Sequence, residues 1–291
     1  MNLIAIALSV GASLSWATTW VLMRVGVHEM SWVAFGLLRP WMALLFIVPF
    51  AWATDGFVFG SPLLVLVAAG GGLLNAFLGT ALFYFALTHG SMHESNILAN
   101  TGPFWGVVSS IAVLGEPARL VAFGGGALVI GGAYFLVRRT GTQEERHRLR
   151  PRLAAVAAGV MWGFSTAVPT KFCMTHGMSP IAYQFLFTCS AAAFWTLAAL
   201  PSLARRRLTF TRRGIWIALV SSFFGLFAGW VLWLMALQRA DASVLSPLYG
   251  LTLLLATILG ATWLRESITR RILVGGALVL AGVTLVSVFA S

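Results

Sequence analysis

Arg39 is the residue whose chemistry most needs an explanation, because it lies inside a long apolar run of the sequence. At 1.5 Å per residue it is ~12 Å into a helix that begins near residue 31. A cation at that depth in a membrane must meet a carbonyl, an acid or water. Pro40 follows it and disfavours helical geometry at Arg39. Two interpretations stay open: Arg39 binds the carboxylate of a small-molecule substrate, or it pins two helices together.

The fourth apolar run carries two amides at helical spacing. Asn96 and Asn100 are separated by one helical turn and therefore share a face. Pro103 removes a helix hydrogen bond, which leaves carbonyls near Ala99 available. Amide and carbonyl oxygens would suit the ammonium group of a substrate. The alternative is an amide clamp between neighbouring helices, which is common in membrane bundles.

The ninth apolar run offers a counterpart to these polar residues. Ser246 and Tyr249 lie there, and its proline is Pro247. Pro103 of the fourth run aligns with Leu253 instead, as the internal duplication described below shows. We therefore expect the backbone irregularities of the two helices to be asymmetric.

The sequence is rich in large rings, with 12 Trp and 21 Phe. Most tryptophans are expected at the membrane interface or in helix packing. Those beside polar or small residues are expected to line a cavity: Trp16, Trp20, Tyr84, Trp105, Trp162 and Trp230. Such rings would hold an aromatic or thioether side chain and attract an ammonium group. Asn75, Ser165 and Pro169 add polarity and backbone irregularity, although Ser165 has the alternative of bonding back to its own helix.

These residues would be positioned by transmembrane helices, because the composition allows little else. The 291 residues are 59% hydrophobic and 9% charged, with a mean hydropathy of +0.90. Long unbroken apolar runs favour helices over barrel strands. We predict an all-α polytopic membrane protein with ten helices, at about 3–25, 31–53, 62–88, 92–114, 118–138, 152–175, 179–203, 213–237, 242–264 and 269–290.

The chain also reads as one sequence written twice. Residues 75–132 align with residues 225–282 without a gap, and the run 125–129 is identical to the run 275–279. We predict a first copy at 1–138, a linker at 139–151 and a second copy at 152–291. Five helices in each copy is an odd number, so the second copy must enter the membrane from the opposite side. The duplication is therefore expected to be an inverted repeat, which is typical of transporters.

The charges predict the orientation of the chain. Most arginines fall in the odd-numbered loops, so those loops are expected to be cytoplasmic and both termini periplasmic. Glu116 and Glu266 occupy aligned positions and are expected to cap the helices that follow them. Lys171 lies near a helix end, where snorkelling to the interface would explain it.

The second half of each copy carries a recognisable pattern. It runs Tyr84-Phe85-Ala86-Leu87, Pro103, Gly115-Glu116-Pro117 and Gly125 to Val129 in the first copy, and Ala236-Leu237, Leu264-Arg265-Glu266 and Gly275 to Val279 in the second. It resembles the EamA module of the drug/metabolite transporter superfamily, and within that superfamily the chain looks most like YddG-type exporters of aromatic and neutral amino acids. The resemblance implies export of small metabolites by alternating access through a central cavity.

Other function classes are disfavoured by the residues themselves. No catalytic group, metal-ligand cluster or phosphate loop is evident, so we expect no enzyme, no cofactor and no metal. The net charge of +11 is concentrated in short loops and does not indicate nucleic-acid binding. The expected partners are a small-molecule substrate and the lipid bilayer of the inner membrane. An exporter of drugs or other small organic metabolites stays open, and so does the oligomeric state, a monomer included.

Overall fold

The structure, a computed structural model, describes residues 3–54, 56–89, 95, 98–118, 120–137, 149–263 and 270–289. Asn96 and Glu266 lie outside these ranges. The described residues are nearly all helical and contain no strand. The predicted all-α membrane fold is therefore confirmed.

The helices follow the ten apolar runs of the sequence, and several of them are built from consecutive pieces. They are α1 (Leu3–Glu29), α2 (Trp32–Ala53), α3 (Pro62–Gly72, Leu73–Gly79 and Thr80–His89), α4 (Gly102–Leu114), α5 (Leu120–Val137), α6 (Leu149–Thr175), α7 (Pro180–Ala204), α8 (Arg212–Ser222, Phe223–Ala228 and Gly229–Leu237), α9 (Ala242–Tyr249 and Leu251–Trp263) and α10 (Arg270–Phe289).

Seven helical stretches in the described part of the chain are long and apolar enough to cross a membrane: Leu3–Glu29, Trp32–Ala53, Pro62–Ala86, Leu149–Thr175, Pro180–Ala204, Arg212–Leu237 and Ala242–Gly260. Shorter apolar stretches lie in α4, α5 and α10. Large apolar side chains cover the outside, among them Leu45, Trp52 and Leu66. Many hydroxyls lie inside, as expected when the surrounding solvent is lipid.

Helix packing follows the duplication. α1 packs against α8 and α9, and the corresponding helix α6 packs against α3 and α4. α5 lies along α10, its counterpart. A Cβ on Gly132 would lie 2.6 Å from the Gly275 carbonyl oxygen, and one on Gly282 would lie 2.7 Å from the Gly125 carbonyl oxygen. The start of each helix thus meets the end of the other, so α5 and α10 cross antiparallel where their glycines allow close approach.

α2 and α7 are also antiparallel counterparts. The Ser31 amide at the start of α2 donates to Thr209 Oγ1, which follows α7, at 3.0 Å. The Ser179 amide at the start of α7 donates to the Val58 carbonyl, which follows α2, at 2.9 Å. The helices of these two pairs therefore run antiparallel to each other.

The breaks in α4 and α9 are symmetric, so the asymmetry expected from the proline positions is wrong. The chain turns at Asn100 and Thr101 before α4 and at Gly250 within α9, and residues 100 and 250 are aligned. Pro103 lies in the first turn of the helix after its break, whereas Pro247 lies just before Gly250. A proline limits a helix from either side of a break, which explains how two positions give one geometry. Pro169 lies inside the unbroken helix α6, so it marks no break.

Glu116 caps a different helix from the one expected. Its carboxylate accepts hydrogen bonds from the amides of Ala242 at 2.9 Å and Ser243 at 2.7 Å, at the start of α9. The carboxylate satisfies two otherwise unpaired amides and meets the positive end of the helix dipole. A residue of the first copy thus caps the N-terminus of a helix of the second copy.

Lys171 binds the opposite end of a helix. Its Nζ donates to the carbonyls of Leu237 and Ala240, at 2.7 Å each, where α8 ends. It therefore caps a helix C-terminus, where a cation is favoured, in addition to lying near the end of α6.

Candidate functional site

Both copies carry a π-helical segment at the same place. Leu73–Gly79 interrupts α3, and Phe223–Ala228 interrupts α8. Residue 75 aligns with residue 225, so the two segments are equivalent under the duplication. π-helical turns widen the backbone ladder and are frequent at functional sites. Sequence reasoning did not find them, because no proline or polar run marks them.

An indole from the opposite copy binds each π segment. Trp162 Nε1 of α6 donates to the Asn75 carbonyl at 3.1 Å. Trp16 Nε1 of α1 donates to the Gly225 carbonyl, also at 3.1 Å. We call these two hydrogen bonds the indole latches. The equivalent bond lengths and partners show that the duplication extends to individual hydrogen bonds.

A glycine makes room for each indole latch. A Cβ on Gly79 would lie 2.7 Å from Trp162 Nε1, and a Cβ on Gly229 would lie 2.7 Å from Trp16 Nε1. Real Cβ atoms do not approach other atoms that closely, so alanine at either position would displace the ring. The signal was visible in the sequence as aligned glycines and aligned tryptophans, but nothing in it connected them.

α7 supplies two further donors to the π segments. Trp195 Nε1 donates to the Ala76 carbonyl at 2.8 Å. Gln184 Nε2 donates to the Leu226 carbonyl, and residues 76 and 226 are again aligned. Both side chains are buried in α7, and sequence reasoning missed them as site residues.

One ring cluster, which we call the Trp16 cluster, joins α1, α8 and α9. The centroid of Trp16 lies 5.1 Å from that of Tyr249, 5.7 Å from that of Trp233 and 5.8 Å from that of Trp230. Tyr249 contacts Trp16 edge to face, a favourable arrangement for aromatic pairs. Trp16, Trp230 and Tyr249 were predicted site residues, and the structure brings them together.

A second ring cluster, the Trp162 cluster, joins α1, α3 and α6. The Trp162 centroid lies 5.1 Å from that of Phe83 and 6.2 Å from that of Trp20, while Tyr84 packs in the same group. Trp16 and Trp20 are one turn apart on α1, so the two clusters meet along one helix face. Trp20 is partly exposed within this interior.

Trp105 belongs to neither cluster in the described contacts. Its indole donates to Thr101 Oγ1 at 3.2 Å, and its ring lies 5.4 Å from that of Phe104. Asn100 is buried at the break before α4. Trp105 lies against α6, since a Cβ on Gly163 would lie 2.8 Å from the Trp105 Cβ, and the start of α4 at Gly102 lies beside the Tyr249 ring.

The predicted polar residues of α3 and α6 bind each other. Asn75 Nδ2 donates to Ser165 Oγ at 2.8 Å. Ser165 Oγ in turn donates to the Met161 carbonyl at 2.5 Å, which is the bond to its own helix considered above. Ser246 bonds back in the same way, to the Ala242 carbonyl at 2.7 Å. The hydroxyls of these serines are already occupied within the bundle.

Arg39 lies deep between α1, α2, α3 and α8. Its Nη1 is 3.4 Å from the Met23 sulfur, and its guanidinium carbon lies 5.8 Å from the centroid of Phe35. The charge also interacts with the hydroxyl of Tyr84. Among the described residues, no carboxylate forms an ion pair with Arg39. The same residues contain no group of three or more His, Cys, Asp or Glu side chains that could hold a metal ion.

Three comparisons with known proteins place this architecture. The model of the EamA-like transporter family matches twice, at residues 3–138 and 150–288. Along 94% of its length the chain is 22% identical to the uncharacterized transporter YoaV of Bacillus subtilis strain 168, covering 93% of that protein. A shorter stretch, 30% of the chain, is 39% identical to a probable 4-amino-4-deoxy-L-arabinose-phosphoundecaprenol flippase subunit ArnE of Pseudomonas fluorescens, covering 71% of it. A solved crystal structure at 20% identity superposes with a TM-score of 0.83, covering 100% of this chain and 98% of the other, which shows the shared fold.

Proposed function

Because this chain belongs to the EamA-like transporter family and is therefore a membrane transporter, we propose that it exports small metabolites, with aromatic and neutral amino acids such as phenylalanine, methionine and threonine as the substrate class. Export takes place across the inner membrane, with odd-numbered loops in the cytoplasm and both termini outside. This assignment rests on the arginine distribution and on the positive-inside rule.

The observation that carries the proposal is the equivalence of the indole latches. Trp162 joins α6 to the π segment of α3, and Trp16 joins α1 to the equivalent segment of α8. In an inverted repeat, exchanging the two copies turns an inward-facing conformation into an outward-facing one. Two matching contacts at matching positions support such an alternation, because exchanging the copies converts each contact into the other.

The two ring clusters support the substrate class. Trp20, Trp162 and Phe83 present ring faces and edges that suit an aromatic or thioether side chain. Trp20 is partly exposed although it packs between interior rings, which is expected of a wall that a ligand reaches. Alternating access would bring the substrate between the copies, where these rings lie.

A second candidate is an exporter of other small organic molecules, drugs or lipid-linked sugars among them. The partial likeness to ArnE flippase subunits favours it, because those relatives are named for a phosphate-linked amino sugar. The match covers 30% of this chain, whereas the likeness to YoaV, a transporter named without a substrate, covers 94%.

Flux into proteoliposomes tests the proposal directly. Purified protein would be reconstituted and offered labelled phenylalanine, methionine or threonine, with cationic drugs as competitors, with and without a proton gradient. We expect saturable uptake of at least one amino acid, and Trp20→Ala should reduce it at least tenfold. Trp52→Ala is the matched control, because Trp52 is 75% exposed on the outer surface of α2. Saturable drug flux without amino-acid flux would favour the second candidate.

A further inference from the structure

The duplication allows Arg39 to be compared with its own counterpart. α2 and α7 begin with the same cap. The hydroxyl of Ser31 accepts a hydrogen bond from the amide of Ala34, three residues later, and the hydroxyl of Ser179 accepts one from the amide of Ala182. Counting the same number of residues from each cap pairs Arg39 with Phe187. The alignment of residues 75–132 with residues 225–282 pairs Tyr84 of α3 with Leu234 of α8.

The second copy fills this place with apolar side chains. Phe187 and Leu234 are fully buried in one core cluster, and the Phe187 centroid lies 4.4 Å from that of Trp230. The same helices in the same packing are thus stable without a charge. Helix packing alone does not require the Arg39–Tyr84 pair, which weakens the interpretation of Arg39 as a pin.

Arg39 is poorly compensated inside the protein. Arg39 is 8% exposed, and within the described part of the chain its Nε has no hydrogen-bond partner. Nη1 meets the weak acceptor of Met23, and the hydroxyl of Tyr84 also interacts with the charge, but neither group is an anion. Nη2 points at the π segment of α8, since a Cβ on Gly225 would lie 2.8 Å from it. A buried guanidinium in a membrane bundle is costly unless an anion or water completes its hydrogen bonds.

We infer that Arg39 is an anion subsite, which takes the carboxylate or phosphate of the transported molecule while the Trp162 cluster takes its apolar part. Met23 and Tyr84, which touch Arg39, also pack in that cluster, so one ligand can reach both. The planar guanidinium favours a compact anion with two oxygens. This inference rests on the proposed transport function but does not depend on an amino acid being the substrate.

Binding to purified protein in detergent tests the subsite independently of flux. The probes are phenylalanine, phenylalanine methyl ester, which lacks the anion, and phenyl phosphate, which carries a different one. Thermal stabilisation would be titrated for wild type, Arg39→Gln and Arg39→Phe, the last of which restores the residue of the second copy. Arg213→Gln is the matched control, because Arg213 is an exposed arginine at the start of α8.

We expect both Arg39 variants to fold and to bind an anionic probe about 10- to 100-fold more weakly than wild type, the range for losing a charge-assisted bond. Arg213→Gln should bind it as wild type does, and the ester should bind equally to all. The probe whose binding depends on Arg39, phenylalanine or phenyl phosphate, identifies the anion as a carboxylate or a phosphate. If phenyl phosphate binding needs Arg39 and no amino acid is transported, the substrate class falls but the subsite stands. Equal binding of anionic probes by wild type and variants, or none by wild type, overturns the inference.

Discussion

Removing one indole latch at a time should bias the transport cycle in opposite directions. Trp162→Phe and Trp16→Phe each keep a ring in place but delete the N–H that reaches the Asn75 or the Gly225 carbonyl. The two latches are exchanged when the copies are exchanged. If the inward-facing and outward-facing states are related by that exchange, any bias that one variant produces must be reversed in the other.

The size of the effect follows from the hydrogen bond removed. The Asn75 carbonyl still accepts from Thr80 Oγ1 at 3.2 Å, so Trp162→Phe does not strip it of partners. The loss should then be that of an ordinary hydrogen bond, about 0.5–1.5 kcal/mol. Since 1.4 kcal/mol is tenfold, the ratio of the two states should change by at most about 2- to 10-fold. Both latches are made in this structure, so only a difference in the strength of one latch between the two states contributes to the change.

Spin-label distance distributions across each end of the bundle would measure that ratio in reconstituted protein. Wild type gives the reference, each single variant should shift the ratio oppositely, and the double variant should return it towards wild type. The Trp52→Phe change on the outer surface is the control for substituting a tryptophan. A shift in the same direction for both single variants would refute the symmetric alternation.

Three further outcomes can be measured. Glu116→Ala should lower the thermal stability by about 1 kcal/mol, because two amides at the start of α9 lose their cap; Glu29→Ala, which breaks a surface ion pair with Arg213, should cost less, and equal losses would contradict the cap. Gly132→Ala should destabilise the α5–α10 crossing by about 1–3 kcal/mol through overpacking, whereas Gly131→Ala next to it, where a Cβ meets nothing within 4 Å, should be harmless in the same unfolding assay. Alkaline phosphatase fused to the C-terminus should be active outside the cytoplasm, and a fluorescent cytoplasmic fusion would overturn the orientation.

Much of the fold depends on residues that are close together in the sequence. The positions of α1, α2 and α7 follow from apolar runs ended by polar residues and from the serine caps, which depend on residues a few positions apart. The alignment of residues 75–132 with 225–282 predicts that α5 and α10 are counterparts, and the structure packs them together. Trp16, Trp20, Trp162 and Trp230 were predicted to line a cavity because polar or small residues lie beside them in the sequence, and such neighbours are uncommon in membrane helices.

The partners of those residues could not be selected in the same way. Glu116 lies before α5 in the chain, so its cap of α9 becomes visible only when two distant segments meet. The breaks at residues 100 and 250 lie at aligned positions although their prolines do not. Pro103 follows its break and Pro247 precedes its break, so different proline positions limit the helices at the same place. The π segments have no local signature, since the donors that bind their carbonyls come from α1, α6 and α7.

Arg39 shows the division most clearly. The sequence by itself determined that a cation lies in a membrane helix and that the second copy has an apolar stretch there, because hydrophobicity and repeat alignment are properties of the chain. Only the tertiary structure decided that its neighbours are Met23, Tyr84 and the π segment at Gly225, and that Nε lacks a partner. The physical reason is that burial in lipid is set by runs of residues along one helix. Hydrogen-bond compensation, in contrast, is set by atoms that several helices bring together.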